Sequence, residues 1–208
     1  MESKTTNSME EATTRKRPKP GERRVQILQA LAEMLENPLG DRVTTAALAA
    51  KIQVSEAALY RHFASKAQMF DGLIAFIEQS IFGLINQIVA KEENGKQQIQ
   101  EITLLLLAFS EKNPGMTRVL LGDSLFQEDS RLQERINQVL ERVEASMKQS
   151  FRIMQTQQEI NWTADDISHR SSLMMSYVIG RWHRFARSGF TKSPLDNATL
   201  SMSVLLLV

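Results

Sequence analysis

From Gly21 onward the apolar residues recur every three or four positions, and no stretch alternates apolar with polar long enough to make a strand. A chain with that single period buries its apolar surface as helices packed on helices. Ile27, Leu28, Leu31 and Leu35 form the first stripe, and Asn37, Pro38, Leu39, Gly40 and Asp41 supply turn residues to end it. The same reading predicts helices from Thr45 to about Lys51, from Glu56 to about Phe63 and from Lys66 to about Ala90. A very apolar one runs from about Gln97 to Lys112, and others cover 115–121, 131–155, 164–188 and 195–207. Asn94-Gly95 and Asn113-Pro114-Gly115 break the chain between them, since proline lacks an amide donor and disfavours a helical predecessor. Thr163 to Asp166 reads as a capping box, Ser193-Pro194 as a cap before a first-turn proline, and Gly189 as a left-handed helix terminator. The expected fold class is all-α.

Composition narrows the function. The 208 residues include no cysteine, which removes disulfides, thiolate metal sites and cysteine nucleophiles together. Met1 to Thr14 is polar, without a signal-peptide stretch. The longest apolar run, Ile102 to Phe109 with Thr103 inside it, falls far short of the roughly 20 residues of a membrane span. No membrane partner is expected, and the expected location is the cytoplasm. The net charge of +1 hides an asymmetry: residues 1–70 hold 11 Lys+Arg against 8 Asp+Glu, and residues 71–208 hold 14 against 16. The block from Arg15 to Arg24 carries six bases and one acid, the pattern of a nucleic-acid arm or of a solvated tail. The expected organisation is a disordered basic arm over 1–20, a small helical unit over 21–67 and a larger helical domain over 68–208.

Val43 to Phe70 carries the chemistry. Two short helices flank the turn Ile52-Gln53-Val54, with Leu48, Val54, Leu59 and Phe63 facing inward. Ser55 is the natural N-cap of the second helix, and Ser65 with Gln68 forms a capping box for the long helix after it. This is a helix-turn-helix, whose second helix enters the major groove. Tyr60, Arg61, His62 and Lys66 offer donors to phosphates and base edges. Thr44 and Thr45 stand where hydroxyls and free amides can hold a phosphate. Ala57 and Ala58 are small enough for close approach to the groove floor.

The residues of this motif, TT-x-x-LA from Thr44 to Ala49, VSEAALYRHF from Val54 to Phe63, Ser65-Lys66 and Met69-Phe70, resemble the TetR family of dimeric bacterial DNA-binding proteins. Within it the chain looks like the nucleoid occlusion factors. ILQALAEMLE at Ile27, FIEQSI at Phe76, LLLLAFSEKNPGMTRVLLG at Leu104, LQERINQVLERVEAS at Leu132 and RFARSGF at Arg184 carry that closer resemblance. It implies a homodimer on a near-palindromic duplex, able to assemble further there, that antagonises FtsZ, the tubulin-like division GTPase. It also implies an FtsZ surface on the fourth and fifth helices, at Phe76, Leu84, Leu105, Ala108, Lys112 and Asn113. Four positions depart from the pattern: Gln53 replaces a frequent glycine, Ala64 a usual proline, Leu84 an expected arginine and Ala108 an expected glycine. If position 53 is left-handed, glutamine costs on the order of 1 kcal/mol there. Losing the proline loosens the entry to the long helix.

Two rival classes follow from the same residues. An enzyme fits poorly, because His62, His169 and His183 lie at no metal-ligand spacing and neither a phosphate loop nor G-x-S-x-G is present. No cofactor or metal is expected. A ligand-responsive repressor would need a pocket, for which Trp162, Met174, Met175, Tyr177 and Trp182 are candidates, although helical spacing equally suits core or dimer contacts. The dimer itself is expected through the last two long helices, by Leu173, Tyr177, Val178, Gly180 and Phe185 with the apolar end Val204 to Leu207.

Overall fold

The computed structural model describes residues 21–37, 43–123 and 129–207, and among them every regular element is a helix. The expectations for the arm over 1–20 and for the turn at Pro38 to Asp41 lie outside the described residues. The elements are α1 (Glu22–Leu35), α2 (Thr45–Lys51), α3 (Glu56–Tyr60), α4 (Lys66–Lys91), α5 (Gly95–Lys112), α6 (Pro114–Leu120), α7 (Ser130–Gln157), α8 (Ala164–Arg187) and α9 (Ala198–Leu205). Helices α5, α7 and α8 pack closely on one another, with α4 laid across α5 and α7. At the other end α1 holds the α2–α3 pair, α4 and α6 together.

Caps explain most of the boundaries. Ser55 and Ser65 cap α3 and α4 by accepting from the amides of Ala58 and Gln68, each at 3.2 Å. The Gln68 side chain reaches back to accept from the Ala64 amide at 2.8 Å. Proline has no such amide, so Ala64 adds a capping hydrogen bond rather than loosening this entry. Thr163 and Asp166 form the full capping box of α8. At its other end Gly189 is left-handed (φ 64°), and the amides of Gly189 and Phe190 return to the carbonyls of Ala186 and Phe185. That is a Schellman closure, and the Phe185 and Phe190 rings meet edge-on across it at 5.1 Å.

Three expectations need correction. Helix α3 stops at Tyr60 instead of running on to Phe63, because the His62 amide bonds Leu59 at 2.8 Å and tightens the last turn. Helix α9 starts at Ala198 instead of 195, so Ser193-Pro194 is not its cap. The Arg181 guanidinium binds the carbonyls of Ser193, Pro194 and Asp196 at 2.7–3.0 Å, which holds this stretch as a turn against α8. The short unbroken apolar runs understate the apolar length of α4. Helix α4 is long and apolar enough to cross a bilayer, with a mean hydropathy of 1.6 over an 18-residue stretch. In this fold its stripe Met69, Phe70, Leu73, Ile74, Ile77, Ile81 and Ile85 is buried in the core. Glu78 on the same helix pairs with Arg135 at 2.7 Å and with Arg142, both on α7.

Candidate nucleic-acid interface

The helix-turn-helix is built from the inside. Leu48, Leu59 and Phe63 are at most 1% exposed, and Val54 is half-buried against them. The turn has the left-handed conformation its glutamine resists, with φ 56° at Gln53. Helix α1 closes the unit: the Arg24 guanidinium lies 4.1 Å over the Phe63 ring and donates to the His62 carbonyl. A cation over a ring joined to a charge-assisted hydrogen bond fixes α1 to the C-terminal end of the recognition helix.

With the inner face used, Ala57, Tyr60 and Arg61 remain exposed on or just after α3. Thr44 is the N-cap of α2, its hydroxyl accepting from the Ala47 amide at 3.1 Å, which leaves the O–H to donate. Thr45 comes within 3.5 Å of the Tyr60 hydroxyl, so α2 and α3 present these two groups as one patch. Ser55 is exposed at the start of α3, its hydroxyl accepting from the Ala58 amide. His62 is half-buried, its carbonyl held by Arg24. Lys66 opens α4, with its ammonium 5.7 Å from the Phe70 ring centroid. The eight expected residues thus divide into a continuous group (Thr44, Thr45, Ser55, Ala57, Tyr60 and Arg61) and a flank (His62 and Lys66).

Two contributors escaped sequence reasoning. Glu56 accepts from the Thr45 hydroxyl at 2.7 Å and sets a carboxylate inside the patch. Its only sequence signal is an acid in the first turn of α3, which reads as ordinary dipole complementation. Arg23 lines a cleft with Ile27, Ile52, Ala58, Arg61 and His62 that encloses about 140 Å³. It stood in the basic block with nothing to distinguish it from its neighbours.

The residues of the second expected surface lie on two helices and at the junction after the second. On α5, Leu105, Ala108 and Lys112 fall at i, i+3 and i+7, one stripe that ends in an exposed lysine. On α4, Phe76 is half-buried and Leu84 is 40% exposed. Asn113 is half-buried and joins α5 to α6, its side-chain amide donating to the Phe109 carbonyl at 2.7 Å. Among the pocket candidates, Met174, Met175 and Trp182 are core residues, 1–3% exposed, and the Trp182 indole donates to the Leu106 carbonyl at 3.1 Å. Trp162 packs on Phe151 beneath the Arg170 guanidinium. Val178 and Phe185, expected at the dimer face, are buried in the chain's own core. The exposed apolar groups on α8 and beyond are Leu173, Leu200, Val204 and Leu207, each more than half exposed (52–68%).

Comparison with known proteins shows the family and the fold. Residues 27–73 match the bacterial regulatory proteins of the tetR family, and residues 93–207 match the tetracyclin repressor-like C-terminal domain of SlmA-like type. The chain is 50% identical over 174 residues to nucleoid occlusion factor SlmA of Alteromonas mediterranea, covering 84% of this chain and 89% of that one. It is 47% identical over 181 residues to the SlmA of Aliivibrio fischeri, covering 86% and 92%. A TetR transcription regulator of Haloarcula marismortui shares the fold with a TM-score of 0.74 at 17% identity, over 88% of this chain and 96% of that one. FadR of Bacillus subtilis, solved with stearoyl-CoA, does so with a TM-score of 0.70 at 13% identity, over 88% and 97%. With both halves matched and about half of the aligned residues shared along nearly the whole of its SlmA relatives, the chain belongs to the TetR family and, within it, to the SlmA group.

Proposed function

We propose that this chain is a sequence-specific DNA-binding nucleoid occlusion factor. Bound to chromosomal duplex in the cytoplasm, it antagonises FtsZ assembly and blocks septum formation over the nucleoid. The observation that carries the DNA half is the patch on α2 and α3. Thr44, Ala57, Tyr60 and the Arg61 cation are exposed, with the half-buried Thr45 hydroxyl beside that of Tyr60, while Leu48, Leu59 and Phe63 hold the scaffold behind them. Hydroxyls and a lysine at helix starts suit phosphates, and an arginine at the end of the recognition helix suits a base edge or a phosphate.

The acting species is a homodimer, because Leu173, Leu200, Val204 and Leu207 form apolar surface on the last helices that a second copy would cover. Two-fold symmetry then pairs two recognition helices with a near-palindromic site. Residues 21–67 form the DNA-binding unit and 68–208 the dimerisation and partner-binding unit. The names of the relatives support the occlusion role, and the FtsZ surface is carried over residue by residue. Phe76, Leu105 and Asn113 keep their type and Lys112 its charge, whereas Leu84 and Ala108 depart from the pattern. The burial of Met174, Met175 and Trp182 favours packing over a ligand pocket, and so weighs against an ordinary ligand-responsive repressor.

The test is FtsZ assembly with purified protein, with and without a duplex selected from random sequences. Duplex-bound protein should shorten or disperse FtsZ polymers, and Lys112→Glu should bind duplex normally while losing that effect, because the reversed charge adds repulsion. Intact FtsZ polymers beside saturated protein would refute occlusion. Release of the duplex by a small molecule would establish the repressor instead. Arg61→Ala should weaken specific binding by about 1–3 kcal/mol.

A further inference from the structure

The C-terminal end of α8 gathers positive charge in a part of the chain that otherwise carries an excess of acids. Residues 71–208 hold 14 Lys+Arg against 16 Asp+Glu, yet the stretch from Ile167 to Leu195 holds five bases and no acid. Two of the five are committed: Arg170 lies over the Trp162 ring, and Arg181 holds the carbonyls of Ser193, Pro194 and Asp196. The other three, Arg184, Arg187 and Lys192, are exposed, and with Gly180, His183 and Ser188 they line an open pocket of about 430 Å³. No described carboxylate pairs with any of these three cations. A Cβ built on Gly180 meets nothing within 4 Å, so this side of the pocket is unfilled.

Cations at a helix C-terminus ordinarily complement its dipole and cap its last carbonyls. Here the backbone has already closed the helix: the amides of Ser188, Gly189 and Phe190 take the carbonyls of Arg184, Ala186 and Phe185. Lys192 lies beyond the last turn, outside the reach of the dipole. Ser188 is what folds it back. Its hydroxyl donates to the Phe185 carbonyl at 2.7 Å and accepts from the amides of Thr191 and Lys192 at 3.1 and 3.0 Å. The Arg181 grip fixes the residues just after, so the backbone on both sides of Lys192 is tied to α8. Three like charges held together repel one another, and an anion shared among them relieves that repulsion while gaining charge-assisted hydrogen bonds.

We propose that this pocket binds a phosphorylated small molecule by its phosphoryl oxygens. The guanidiniums of Arg184 and Arg187 match those oxygens in forked pairs, and the Lys192 ammonium adds a point charge. The volume falls in the range of small-molecule sites, and the lining has no large apolar side chain, so the charged group rather than an apolar body is recognised. The site shares no residue with the patch on α2 and α3. Gly180 follows Leu173 by seven residues on the same face of α8, which places the pocket at the border of the apolar surface assigned above to a second copy.

The experiment is isothermal titration of the full chain with inorganic pyrophosphate at low salt, where screening is weak. The parent should bind saturably. Replacing both Arg184→Gln and Arg187→Gln should weaken binding about tenfold or more, as expected for charge-assisted hydrogen bonds. Lys192→Gln should weaken it about threefold and serves if the double variant does not fold. Two controls remove the same charge elsewhere: Arg61→Gln on the recognition patch, and Arg152→Gln, an exposed arginine of α7 bonded to Gln149. Both should stay within about twofold of the parent. A parent that takes up no pyrophosphate overturns the proposal. So does a double variant that binds like the parent, or Lys192→Gln equal to the parent when only that variant folds. A control weakened as much as the double variant overturns it too, because the anion then sits elsewhere or senses only net charge. Vesicles of phosphatidylglycerol separate the sources of the phosphoryl group. If they retain the parent but not the double variant while pyrophosphate does not bind, the cluster is a lipid contact and the soluble ligand is refuted.

Discussion

Replacing Gln53 by glycine should stabilise the protein, although it deletes a side chain. Gln53 stands in the turn between α2 and α3 with φ 56°, a region where Cβ crowds the following carbonyl. That crowding costs a residue with a Cβ about 1–2 kcal/mol relative to glycine. Glycine returns part of the gain, because the unfolded chain becomes freer by about 0.4–1 kcal/mol. The Gln53 side chain is exposed, and losing a surface contact changes stability by about 0.5 kcal/mol or less. The net expectation is a gain of roughly 0.5–1 kcal/mol, or a midpoint rise of about 1–4 °C for a chain of this length. Gln53→Asn should gain less, since asparagine tolerates this region only moderately well. Gln53→Ala keeps the Cβ and should gain nothing. Thermal and urea unfolding followed by circular dichroism would rank the three. A lower midpoint for glycine, or a gain for alanine equal to that of glycine, would show that strain at this φ does not limit stability.

Other positions give sharper functional readings. Glu56→Gln keeps an acceptor for Thr45 but removes a carboxylate from the phosphate-facing patch, so duplex affinity at low salt should rise about two- to threefold, with the gain fading as salt screens it. Trp182→Phe should cost about 1–3 kcal/mol in urea unfolding, because the buried Leu106 carbonyl loses its indole donor. The Thr163 hydroxyl and amide hold the Asp166 carboxyl below its ordinary 3.8. Because that pKa is lower in the folded chain, the capping box contributes fully above pH 3.8 and fades as pH falls through the depressed value. Thr163→Ala should move the Asp166 titration, followed by carboxyl NMR, back up towards 3.8.

What could be read in the sequence was whatever depends on near neighbours along the chain. Helical period, Ser55 and Ser65 as caps, the Thr163–Asp166 box and the Gly189 terminator are set within four or five residues, and each occurs where local chemistry puts it. The outward face of α3 was legible for the same reason: once Leu48, Leu59 and Phe63 are assigned inward, helical geometry leaves Ala57, Tyr60 and Arg61 outward. Tertiary structure decided the contacts that cross tens of residues. Arg181 cancelled the Ser193-Pro194 cap by taking three carbonyls of the turn, and the core claimed Val178 and Phe185, whose spacing fits an inner face and a dimer face equally well. Arg118 on the α1 carbonyls and Arg24 on Phe63 left no trace in local pattern, because an arginine's partner is chosen by where the packed helices bring a carbonyl or a ring. Periodicity tells which face of each helix is buried; only the packing of one helix on another tells against what.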